Sequence, residues 1–111
     1  MRTVVEYLQD ILQAIQRIEK YSRRGRDLFN TDELVQTWII YHLQIIGEAA
    51  RKLPVDFKEK YPEVPWAKII GMRHILVHHY FGIDEDASWV AVEKHLPEFK
   101  KQIEIILLKM N

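Results

Sequence analysis

Apolar residues recur every three or four positions along almost the whole chain, and no segment alternates as a half-buried strand does. From about Thr3 to Tyr21, Leu8, Ile11, Leu12, Ile15 and Ile18 make one stripe, which predicts a first long helix. Ser22-Arg23-Arg24-Gly25-Arg26 ends that helix and opens a loop. Thr31-Asp32-Glu33 supplies a cap and an acidic first turn for a second long helix, which reaches about Leu53 before Pro54 stops it. Val55 to Tyr61 reads as a short helical segment ahead of Pro62. Pro65 suits the first turn of a helix from Trp66 to about Tyr80, which Gly82 breaks. Asp84-Glu85-Asp86 opens a last helical region that closes near Leu107-Leu108, with Pro97 inside it to kink or divide it. The expected architecture is an all-α, up-and-down bundle of four main helices plus a short helical segment, one domain over residues 1–111.

Composition narrows the function classes. The 111 residues are 48% hydrophobic and 29% charged, which is the balance of a chain that folds. No cysteine is present, so disulfide frameworks, thiolate zinc sites and cysteine nucleophiles are excluded, and an intracellular home is favoured. The N-terminal stretch is amphipathic and carries Glu6 and Asp10, unlike a secretory signal. The longest uncharged stretch, Leu34 to Gly47, falls short of the roughly 20 residues that span a bilayer. A cytoplasmic location without membrane contact is expected. Sixteen basic residues balance sixteen acidic ones, so any contact with a polyanion must be local.

The segment from Trp66 to Tyr80 holds the candidate chemistry. At about 100° per residue, Trp66, Ile69, Ile70, Arg73, Val77 and Tyr80 share a third of a helix circumference. Arg73 therefore sits in the middle of an otherwise apolar stripe. A guanidinium is always charged, so this position needs an explanation. One reading is structural: the stem packs while the head reaches solvent or pairs with a carboxylate, with Glu48 the candidate because it follows Trp38, Tyr41 and Ile45 along one face.

The histidines give a second reading. His74 and His78 are four apart, a spacing that can bind zinc, but no acidic residue lies on the same turn to complete a site. His42 and His95 lie on other helices and could join only through folding. Histidine also moves protons near neutral pH, so Arg73, His78 and Tyr80 could provide a phosphate clamp, a base or acid, and a phenol. On a regular helix His78 lies about 140° round from Arg73. Either the helix distorts toward its C-terminal end, or a two-fold dimer makes a composite site.

These residues, Pro65-Trp66, Gly71-Met72-Arg73 and His78-His79-Tyr80, resemble the signature of the HEPN superfamily. Within it the pattern R-x4-H-x-Y is similar to that of the HepT-like toxins. The resemblance extends to Ile46-Gly47-Glu48-Ala49-Ala50 and to Trp89, and so covers most of the chain. It implies a HEPN-like, all-helical, dimerising fold and a metal-independent endoribonuclease that needs no cofactor. It further implies the toxin of a type VII-like toxin–antitoxin pair acting on tRNA or mRNA. The implied antitoxin is a minimal nucleotidyltransferase that adds AMP to the motif tyrosine, here Tyr80. The family commonly has asparagine after the motif arginine; here that residue is His74, whose imidazole can donate to phosphate.

RNA carries its own nucleophile, the 2′-hydroxyl, so the mechanism expected is transesterification. In that scheme His78 is general base or acid, Arg73 stabilises the charge at phosphorus, and Tyr80, His74 and Glu48 support or position the phosphate. Arg17, Lys20, Arg23, Arg24 and Arg26 form one basic cluster that could contact RNA backbone, with Lys68 a second candidate. The competing reading of the cluster is a solvated helix end, where cations favour the carbonyl terminus. The competing function for the whole chain is a non-catalytic helical module that dimerises and binds a nucleotide or partner protein through the same cleft.

Overall fold

The computed structural model describes residues 2–74 and 85–110. Among them every regular element is helical. The helices are α1 (Val4–Ser22), α2 (Arg26–Thr31), α3 (Glu33–Lys52), α4 (Val55–Glu59), α5 (Trp66–Gly71), α6 (Glu85–Val90) and α7 (Leu96–Met110). A 3-10 turn, Met72–His74, follows α5, and a π-helical turn, Ala91–His95, joins α6 to α7. No described helix is long and apolar enough to cross a membrane.

The first long helix is started by a reciprocal cap. The Thr3 hydroxyl accepts from the Glu6 amide, and the Glu6 carboxylate accepts from the Thr3 amide, both at 3.1 Å. These bonds to the charged form hold the Glu6 carboxyl below its usual range. Leu8, Ile11, Ile15 and Ile18 are buried, as the stripe predicts; Ala14 joins them and Leu12 is only partly buried. α3 is the helix they meet most extensively. α3 is capped by Asp32, whose carboxylate accepts from the amides of Leu34 and Val35 at 3.0 and 3.1 Å. Its far end is closed by the Lys58 ammonium, which donates to the carbonyl of Ala50 at 3.3 Å. α7 covers the other side of α1 with Phe99, Ile103 and Ile106. Phe29, fully buried, stacks obliquely on Trp89 at 5.5 Å and ties α2 to α6. Full burial of side chains of this size supplies about 1.5–3 kcal/mol each against the entropy of folding.

Three details differ from the pattern. The loop expected at Arg23–Arg26 is a tight turn on Gly25, at φ 102°, that leads directly into α2. Six residues are too few to show a helical period; the helix is set by backbone bonds such as Asp32 to Leu28, and it buries Phe29. α4 stops at Glu59, short of Tyr61, because Pro62 disfavours helical backbone at the preceding residue. The last helical region is divided, as Pro97 demands, but the division is the π turn just before it, where the Leu96 amide reaches back five residues to Ala91. Pro97 then occupies the first turn of α7, where a missing N–H costs little.

The largest correction concerns the helix drawn from Trp66 to Tyr80. Its α-helical part ends at Gly71, and the chain tightens into the 3-10 turn that carries Arg73. The Met72 amide bonds to the carbonyl of Ile69, three residues back. Residues in such a turn are about 120° apart, so the angular arithmetic of a regular helix fails from Met72 onward. A distortion is thus present among the described residues, and it begins just before Arg73. The remainder of that helix and its break at Gly82 lie outside the described residues.

Candidate functional site

Arg73 is placed by a close contact between two backbones. Gly47, in the middle of α3, faces the turn so closely that a Cβ there would lie 2.8 Å from the Arg73 nitrogen. The same atom would lie 3.0 Å from the Ile70 carbonyl oxygen and 3.0 Å from the Arg73 Cβ. Only a residue without a side chain allows α3 and the turn to pack at this distance. Ile69, fully buried, and Met72 anchor the turn on either side of the crossing.

The stripe position of Arg73 is resolved by this packing. The side chain is 35% exposed, so the stem is covered while the head reaches an open groove. Nη1 lies 3.5 Å from Oε2 of Glu48, while Nε is buried and has no hydrogen-bond partner. The expected Glu48 carboxylate is therefore present, but its short bonds go elsewhere. Oε1 accepts from Arg51 Nη2 at 2.6 Å and Oε2 from Arg51 Nε at 3.3 Å. The Arg51 guanidinium accordingly holds the Glu48 carboxyl below the usual carboxylate range, with Arg73 and Lys52 contributing less.

The groove has a volume of about 410 Å³ and is lined by Tyr41, Gln44, Ile45, Glu48, Arg73 and His74. The α3 residues among these fall at spacings of three and four, on one helix face. Of the residues singled out in the sequence, Glu48, Arg73 and His74 come together here. His78 and Tyr80 lie outside the described residues. Gln44 and Arg51 were not singled out. The face already traced through Tyr41, Ile45 and Glu48 includes Gln44, whereas Arg51 could have been found from its i,i+3 spacing to Glu48.

The other candidates are placed elsewhere. Arg23 donates from Nε to the carbonyl of Glu19 at 3.0 Å, which is the helix-end arrangement. Arg26 forms an ion pair with Asp86. The Lys20 ammonium stands 5.7 Å from the Tyr21 ring centroid. Arg24 is exposed and lines a groove of about 490 Å³ with Tyr21, Leu28 and Trp38. Lys68 belongs to a notch of about 230 Å³ between α5 and the π turn, facing Lys94, His95, Glu63 and Glu98. His42 is buried within α3, its Nδ1 2.7 Å from the carbonyl oxygen of Trp38. No three His, Asp or Glu among the described residues are grouped to hold a metal ion.

Comparison with known proteins shows the family to which the chain belongs. The model of the Ribonuclease HepT-like family matches residues 11–106. A protein of Thermococcus cleftensis named "probable ribonuclease HepT" is 39% identical over 93% of this chain and 94% of its own length. A candidate RNase of Methanocaldococcus jannaschii is 38% identical over 95% of this chain and 97% of its own. A longer M. jannaschii protein, named as a gamma-glutamylcyclotransferase and candidate RNase, is 39% identical over 95% of this chain, which spans 48% of that relative. No solved structure matches. The likeness runs through both α3 and the Arg73 turn, and the chain belongs to the HepT-like ribonuclease family.

Proposed function

We propose that this protein is a metal-independent endoribonuclease in which Arg73 binds the scissile phosphate and His78 moves the proton. The observation that carries the reading is the state of Arg73: a permanent cation, half-covered, on an open groove, with its Nε–H unsatisfied. A phosphate offers the paired oxygens that such a fork lacks.

The 2′-oxygen of the substrate attacks the adjacent phosphorus as its proton passes to a base, and the bond to the 5′-oxygen breaks as that oxygen takes up a proton. The products are a 2′,3′-cyclic phosphate and a 5′-hydroxyl. Arg73 acts on the negative charge that builds on the non-bridging oxygens. His78 serves as the base or the acid, His74 donates to phosphate, and Glu48 orients the guanidinium. A second copy of the chain completes the cleft. Leu34, 82% exposed, continues through Trp38 and Tyr41 into the groove, and supports such a homodimer. In this reading the enzyme is a cytoplasmic toxin of a type VII-like pair, acting on tRNA or mRNA. A partner nucleotidyltransferase neutralises it by transferring AMP to Tyr80, which adds bulk and negative charge beside the phosphate site.

Incubation of the purified protein with total RNA in the presence of a chelator tests the reading. Cleavage with 2′,3′-cyclic phosphate ends is expected, with His78→Ala inactive at unchanged helical content. Full activity of His78→Ala removes that residue from the mechanism, and loss of cleavage in chelator removes the metal-free scheme.

A further inference from the structure

Glu48 stands between two guanidiniums and serves them unequally. Arg51, one turn further along α3, takes both carboxylate oxygens, at 2.6 and 3.3 Å. Arg73 is left with one approach at 3.5 Å, and its Nε–H points to no acceptor. One carboxylate cannot make two bidentate pairs, so what Arg51 holds is denied to Arg73. A buried donor without a partner is costly, and the Glu48 carboxylate, already 3.5 Å from Nη1, is an acceptor able to relieve it. The side chain of Glu48 is 41% exposed and has room to turn.

We infer that Arg51 is a positioning residue: by holding Glu48 in a bidentate pair, it keeps the Arg73 guanidinium open for the phosphate of RNA. Without Arg51, Glu48 swings to Nε and Nη1 of Arg73 and closes an internal ion pair that substrate must then displace. Arg51 acts through Glu48 and does not touch the substrate. The inference rests on the ribonuclease reading for its consequence, but the geometry can be measured without any RNA.

The test has two arms. In the first, the Glu48 carboxyl is titrated by NMR in the full-length protein, alongside the charged neighbours Arg51, Lys52 and Arg73 and the imidazole of His74. In Arg51→Ala the Glu48 midpoint stays below the ordinary carboxylate range because Arg73 replaces Arg51. It rises toward the ordinary range, short of it by the small effect of Lys52, only in Arg51→Ala combined with Arg73→Ala. A return in Arg51→Ala alone overturns the inference, and this arm decides even if the protein cleaves no RNA. In the second arm, Arg51→Ala lowers the cleavage rate about three- to fivefold, the scale of an exposed ion pair. Once Glu48→Gln has removed the charge that Arg51 holds, Arg51→Ala has no further effect, and the double variant cuts at the rate of Glu48→Gln alone. A double variant slower than Glu48→Gln alone by that same factor contradicts the inference and assigns Arg51 a direct contact with RNA.

Discussion

Gly47 and Arg73 approach so closely that no side chain fits between them: a Cβ on Gly47 would sit 2.8 Å from the Arg73 nitrogen. The Arg73 nitrogen and the Ile70 carbonyl oxygen that this Cβ would meet are both backbone atoms, so a change of rotamer cannot relieve the contact. Gly47→Ala therefore separates two effects. Alanine in a helix interior gains about 0.5–1 kcal/mol over glycine, while overpacking costs about 1–3 kcal/mol. The expected net result is destabilisation of about 1–2 kcal/mol with lowered RNA cleavage, read by urea unfolding and by rate. A more stable variant with wild-type cleavage would show that the contact yields freely.

His95 makes stability depend on pH in a stated direction. Burial lowers its pKa from the ordinary 6.5, and the ammonium groups of Lys68 and Lys94 lower it further. Glu63 and Glu98 line the same notch. A base whose pKa falls on folding binds protons better when unfolded, so its stability contribution is whole above pH 6.5 and is lost as pH falls through the folded value. His95→Gln should flatten part of the loss in urea midpoint between neutral and mildly acidic pH. An NMR midpoint for His95 at or above the ordinary value would remove this source of pH dependence.

The basic cluster should contribute to RNA binding unequally. Arg26 is paired with Asp86 and Arg23 is bonded to a helix-end carbonyl, while Arg24 is exposed on a groove. Each phosphate contact to single-stranded RNA adds about 0.7 to the salt slope of binding. Arg24→Ala is expected to reduce that slope by about one contact, and Arg26→Ala to leave it unchanged. Equal slopes for Arg24→Ala and wild type would assign the cluster to the helix end alone.

The long helices were readable because their stripes are long. Leu8 to Ile18 and the capped start at Asp32 predict α1 and α3 within a residue or two. α2 was not readable, since six residues with Leu28 and Phe29 adjacent carry no period. The turn at Met72–His74 was missed for a tertiary reason: Gly71 and Met72 read as ordinary helix, and only the approach of Gly47 from another helix accompanies the tightening there. Glu48 could be picked out as the carboxylate near Arg73 because one face of α3 leads to it. Its preference for Arg51 is a matter of distances, which spacing alone does not rank.

The central claim is that the Arg73 guanidinium acts on the scissile phosphate. Its most direct measurement is the cleavage rate of one defined RNA, in chelator, by wild type and by Arg73→Ala and Arg73→Lys, with helical content followed by circular dichroism. The account predicts that Arg73→Ala loses at least about 100-fold in rate, the cost of removing one transition-state donor. Arg73→Lys should recover little, because an ammonium lacks the paired donors of the fork. An Arg73→Ala protein that folds normally and cuts this RNA at the wild-type rate would contradict it.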